Sequence, residues 1–188
     1  TLSAAPLNGG TLSTTLIGRV GRLRGSLDLS PGSDLDVGEV DIAGGISGSV
    51  LRAESAILCV RRVEGSTLTV LSPADGALAV AVGRDRSEPP HLGDDSRLVA
   101  PKREHRRSAI SDTSIEVIGN GHIVAGDARS SSASAGGRIV LESCTGASTL
   151  LDGDQVVIGG DAAAADGMIE IRARVILVGG TAERVSTT

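Results

Sequence analysis

Apolar residues in this chain come in short runs, and the runs are separated by glycine, serine, aspartate and asparagine. Between residues 16 and 82 the alternation predicts strands near 16–20, 26–29, 35–42, 50–53, 56–60, 67–71 and 77–82. Each is bounded by turn-forming residues. A shift of seventeen residues superposes Ile42 on Cys59, Ile46 on Val63, Gly48 on Gly65, Ser49 on Ser66 and Leu51 on Leu68. The pattern is that of stacked coils, in which one turn of chain repeats above the last and like residues form columns. It predicts an all-β fold, a parallel β-helix or solenoid of short strands.

The pattern returns between residues 114 and 180. One unit runs from Ser114 through Gly136-Gly-Arg-Ile-Val-Leu-Glu142. A second starts at Gln155-Val-Val-Ile-Gly-Gly-Asp161 and ends in Gly167-Met-Ile-Glu-Ile-Arg-Ala173. The small-residue stretches between them, 128–136 and 161–167, read as coil corners or surface loops. They lack the bulk to wall a pocket.

Residues 84–112 break the pattern. They hold three of the six prolines, the one lysine and two of the three histidines, with dense mixed charge. Proline cannot donate to a sheet ladder, and such charge belongs in water. The chain therefore divides into a flexible or strand-pairing arm (1–15), a coil region (16–83), a charged loop (84–112) and a coil region (113–188) continuous with the first. The basic knot Lys102, Arg103, His105, Arg106 and Arg107 is the candidate docking element, since solenoids carry binding loops as insertions.

Composition narrows the core. Phenylalanine, tyrosine and tryptophan are absent, so the interior is built from valine, isoleucine, leucine and alanine. That also removes base stacking and aromatic cages as binding modes. The net charge of -5 is no footprint for nucleic acid. No run approaches the roughly 20 apolar residues of a membrane helix. Cys59 and Cys144 lack metal-ligand spacing and read as small buried hydrophobes, with a single disulfide as the alternative.

The chemistry of a site is thin. His91, His105 and His122 pair with no second ligand at zinc spacing. Asp94, Asp95, Asp152 and Asp154 lack the spacing of a calcium loop. Asp34, Asp36 and Asp41 are the nearest approach to the paired carboxylates of a glycosidase. The expectation is no catalytic residue, no cofactor and no metal.

Two family resemblances bear on function. Gly136 to Glu142, and Gly167-Met-Ile-Glu-Ile-Arg-Ala-Arg-Val-Ile-Leu-Val-Gly-Gly180, are similar to the degenerate repeats of filamentous-haemagglutinin-type adhesins. That resemblance implies a right-handed parallel β-helix outside the cell. The N-terminal half, with Val63-Glu-Gly-Ser66 as a turn, resembles bactofilin-type repeats, which implies a cytoplasmic polymerising β-helix. The charged insertion departs from both. The reading is a structural or adhesive module that self-associates through strand edges, extracellular or on the cell surface, with a protein or surface glycan as a further partner. The alternatives are a polysaccharide-processing β-helix enzyme or a cytoplasmic scaffold.

Overall fold

A computed structural model describes residues 2–4, 12–82, 109–146 and 148–188. The chain winds as a β-solenoid of about 9 turns, with no helix among the described residues. Every strand pairing is parallel, as winding one way round an axis requires. Each full turn contributes three strand segments, so the body has three faces. Face I carries 17–20, 34–37, 50–53, 67–70, 114–117, 132–135, 149–153, 169–173 and 185–187. Face II begins at β1 (Leu2–Ala4) and continues through 22–25, 39–42, 56–59, 80–82, 123–125, 139–141, 155–158 and 175–178. Face III begins at β2 (Leu12–Thr14) and continues through 27–29, 46–47, 63–64, 109–111, 127–129, 144–146, 162–164 and 182–183.

Alternation along each segment sends every second side chain inward, where it meets its equivalent one turn away. On face I the interior column reads Leu35, Leu51, Leu68, Ile115, Ala133, Leu151, Ile171. On face II it reads Leu23, Val40, Ile57, Val80, Ile123, Ile139, Val156. None of these fourteen is more than 5% exposed. The seventeen-residue superposition holds in space: Ile42 stacks on Cys59, Ile46 on Val63 and Leu51 on Leu68.

The C-terminal units divide differently from the sequence reading. Ile139, within 136–142, stacks on Val156 and then Ile176 on face II. Ile169 and Ile171, within 167–173, stack on Thr149 and Leu151 on face I. The two glycine-led stretches are therefore not equivalents, because the unit as read spans more than one turn. The small-residue runs are likewise not corners throughout. Ala133 and Ala135 lie in the strand Ser132–Gly146 and Ala162 and Ala164 in Ala162–Ala164, all buried. An alternating strand needs only inward side chains that fit, and alanine fits a narrow interior.

Corners have a fixed chemistry. Between faces I and II the backbones of successive turns close up. A Cβ on Gly38 would meet the Gly21 carbonyl oxygen at 2.3 Å, so no larger residue fits. Between faces III and I one residue per turn adopts the left-handed conformation, as at Gly48 (φ 51), Gly65 (φ 57), Asp112 (φ 48) and Ser130 (φ 46). The following residue is a buried hydroxyl: Ser33, Ser49, Ser66, Thr113 and Ser131. The backbone N–H groups of Leu16, Ser49, Ser66 and Thr113 donate to Ser33, Ser66, Thr113 and Ser131 of the next turn at 3.1, 3.2, 3.4 and 3.3 Å. Each hydroxyl then donates to a carbonyl of its own turn, for example Ser66 to Glu64 at 2.9 Å and Thr113 to Ser111 at 2.8 Å. The ladder satisfies corner N–H groups that no strand partner reaches.

The ladder step from Ser66 to Thr113 spans the charged segment. The chain leaves the coil after the strand Leu78–Val82, whose Val82 pairs with Cys59. It re-enters at the strand Ala109–Ser111, whose Ile110 pairs with Val63. Both points belong to the corner between faces II and III. Ala109–Ser111 lies within the span read as loop, so the coil resumes before Asp112. Leu2–Ala4 and Leu12–Thr14, within the span read as an arm, pair with Leu23–Gly25 and Leu27–Leu29.

Candidate functional site

A solenoid offers three kinds of surface: its faces, the hollows at its corners and its two ends. On face I the outward residues of the early turns form an ionic lattice. Arg52 reaches Asp34 with Nη2 at 2.6 Å and Asp36 with Nε at 2.7 Å, and Arg19 reaches Asp36 at 3.4 Å. Hydrogen bonding from Arg52, opposed by desolvation and aided more weakly by Arg19, holds the Asp36 carboxyl below its ordinary value. A carboxylate kept ionised in this way is poorly placed to deliver a proton. Asp41 stands on face II, opposite Arg24. The three aspartates that sequence proximity grouped are thus divided between two faces. All the ion pairs of this lattice are solvent-exposed, where such pairs stabilise weakly.

Face II changes character along the axis. In the early turns its outward residues are charged, with Arg22 and Arg24 both on Glu39 at 2.8 and 3.4 Å. Further on, the outward column reads Leu58, Ala81, Val124, Val140, Val157, Leu177. This explains the unbroken apolar runs in 139–141 and 175–178: both sides of the strand are aliphatic there. His122 sits at the edge of this face. Its Nδ1 accepts the Arg138 N–H at 2.9 Å, and burial holds its pKa below the ordinary 6.5, helped by the Arg138 charge.

The hollows are shallow. One, of about 730 Å³, is lined by Ser114, Ser130, Ser132, Met168 and Glu170 among others and contains no histidine, lysine or arginine. A second, of about 300 Å³, is lined by Asp28, Ser47, Arg61 and Arg62. There the Asp28 carboxylate is taken up by the Gly45 N–H at 2.6 Å and by Arg61 at 3.7 Å. Among the described residues no three metal-ligating side chains come together. Cys59 and Cys144 are unbonded and buried, and burial pushes their thiols up to about 12 and about 11. Cys59 occupies the aliphatic column between Ile42 and Val82, as its sequence position implied. The docking residues Lys102, Arg103, His105, Arg106 and Arg107, together with His91, Asp94 and Asp95, lie outside the described residues.

The ends differ from everything between them. At the N-terminal end, interior-directed Leu2 and Leu12 are 43% and 52% exposed, and Ile17 is 80% exposed. At the C-terminal end, segment 175–178 pairs on one side only, with 155–158. Its inward residues Ile176 and Val178 are partly buried, as are Val185 at the same end and Leu16 and Val20 at the other.

The architecture defines the chain as a β-solenoid. No protein-family model, curated protein or solved structure matches it. Among the described residues there is no helix long and apolar enough to cross a membrane.

Proposed function

We propose that this protein is a structural β-solenoid module that associates with itself through its strand edges. The observation that carries this reading is the uniform parallel stack of about 9 turns, a geometry that grows by adding strands to a sheet edge. Any strand edge of such a stack that is left uncovered templates strand addition. The long faces support the same reading. Asp34 and Asp36 are ion-paired to Arg52 on face I, and Asp41 stands apart from them on face II. A location outside the cell, implied by the adhesin-like repeats, belongs to the proposal, and so does adhesion to a protein or glycan surface.

Light scattering across a concentration series tests it. The mass should rise above that of one 18.8 kDa chain and fall back on dilution. A single mass of one chain at every concentration would overturn the reading.

A further inference from the structure

We infer, from the adhesive part of that reading and not from its self-association, that the larger hollow is a binding groove for a neutral, extended β-linked glycan. The hollow measures about 730 Å³ and lies at the corner between faces III and I, in the turns that follow the charged segment.

One column of corner residues makes the groove. It runs Gly32, Gly48, Gly65 in the early turns and Asp112, Ser130, Ser148, Met168 in the later ones, each two residues before a stacked position on face I. The early members are glycines with positive φ, and Asp112 and Ser130 hold the same left-handed conformation at φ 48 and φ 46. That conformation costs a residue with a Cβ more than it costs glycine. Strain kept where glycine would relieve it points to a use for the side chain. Ser114, Ser132, Leu150 and Glu170, stacked on one another, form the opposite wall. The walls cross three strand spacings of about 4.8 Å each, so the groove is straight and about 14 Å long.

The lining selects the ligand. Its hydroxyls both donate and accept, as sugar hydroxyls do. Asp112 and Ser148 are exposed, and among the described residues their side chains make no hydrogen bond or ion pair, so both can turn to a ligand. Met168, 54% exposed, and Leu150 offer apolar surface to the C–H face of a sugar ring in a chain that has no aromatic residue. No lysine, arginine or histidine lines the groove, and its carboxylates repel an acidic chain. A polycation is not favoured either, because Glu170 is already paired with Arg172 at 2.7 Å and Asp112 alone remains. A cellulose-type chain is a straight ribbon whose advance per sugar is close to the advance per turn of the solenoid. Successive rings can therefore meet successive turns.

Met168 is the one methionine of the chain, so isotopic labelling of the methionine methyl group places a single magnetic-resonance signal in the groove. Titrated with cellohexaose, that signal should move saturably. Maltohexaose, whose chain curls, and an acidic oligogalacturonate should move it far less. Asp112→Gly and Ser130→Gly each remove a lining side chain while relieving the backbone. Both should keep the wild-type circular dichroism spectrum and weaken binding about 3–10-fold, the worth of one hydrogen bond. Arg19→Ala, outside the groove, should bind as the wild type does. No saturable movement with cellohexaose would overturn the assignment. So would an equal response to maltohexaose or oligogalacturonate, a response to a cationic chitosan oligomer alone, or undiminished binding by both glycine variants. Any of these leaves self-association standing, because light scattering reads it separately. Saturable binding by a chain that keeps a single mass at every concentration would overturn self-association and leave the groove.

Discussion

The turns before the charged segment and the turns after it solve one packing problem in opposite ways. In the earlier turns the bulk is inside. Leu35, Leu51 and Leu68 fill face I, Ile46 and Val63 fill face III, and the outward residues are paired charges. In the later turns Ala128, Ala133, Ala135, Ala162 and Ala164 enter the interior beside Ile139, Leu151 and Ile171, while face II carries Val124, Val140, Val157 and Leu177 on its outer side. The corners change in step. Glycine holds the left-handed position at Gly48 and Gly65, but Asp112, Ser130 and Arg184 hold it later. Stacking depends on the register of the columns and on the corner geometry. The size of the side chain in a column can drift so long as its neighbours drift with it.

This difference can be pressed by mutation. The largest effect should come from the leucine column. Leu51 is fully buried, and Leu51→Ala should cost about 3 kcal/mol by lost burial and the cavity left behind. Chemical denaturation measures it. A loss below about 1 kcal/mol would mean that the early interior is not the packed core described.

The hydroxyl ladder comes next. Ser66→Ala removes an acceptor for the Ser49 N–H and a donor to the Glu64 carbonyl at a buried corner, and should cost about 1–3 kcal/mol. An unchanged denaturation midpoint would show that water or another group takes over.

The corners give a pair of opposed changes. A Cβ on Gly65 meets nothing within 4 Å, so Gly65→Ala isolates the backbone cost of the left-handed conformation, about 1 kcal/mol. Ser130→Gly relieves the same strain at φ 46 and should stabilise by a smaller amount, set against the extra freedom glycine brings to the unfolded chain. Equal effects of one sign would remove the corner argument. Melting temperatures of the two variants decide it.

The smallest expected effect is that of pH on His122. Its folded pKa lies below 6.5, so between the two values the unfolded chain binds more protons. The contribution is fully present above pH 6.5 and is lost as pH falls through that value toward the folded one. His122→Asn offers an oxygen where Nδ1 accepts the Arg138 N–H, and should flatten this part of the stability–pH curve between pH 7 and 5. A curve unchanged by the substitution would place the titration elsewhere.

Much of this fold could be read from the residues. The alignment of Ile42 with Cys59 and Leu51 with Leu68 was visible because large aliphatics repeat at constant spacing in the early turns. The later turns were harder. Ala133 under Ile115 is a real column, but alanine carries no periodic signal, and face II runs such as 175–178 hide the alternation because both sides are apolar. The hydroxyl ladder left a trace in Gly48-Ser49, Gly65-Ser66, Asp112-Thr113 and Ser130-Ser131. What concealed it was the change from glycine to aspartate and serine at the left-handed position. The grouping of Asp34, Asp36 and Asp41 misled because closeness in sequence crosses a corner here, and Gly38 turns the chain onto another face.

The stacked columns continue across the 26 residues that separate Val82 from Ala109, and everything else rests on that continuity. Thr69 and Glu116 face outward on adjacent turns, directly paired although 47 residues apart in the chain. Oxidising Thr69→Cys/Glu116→Cys should close an intramolecular disulfide in nearly every molecule, because stacked Cα atoms sit about 4.8 Å apart. The offset pair Thr67→Cys/Glu116→Cys should close far less. Efficient closure of the first pair alone is the predicted result. Closure of neither, or of the offset pair in its place, would contradict the continuous solenoid.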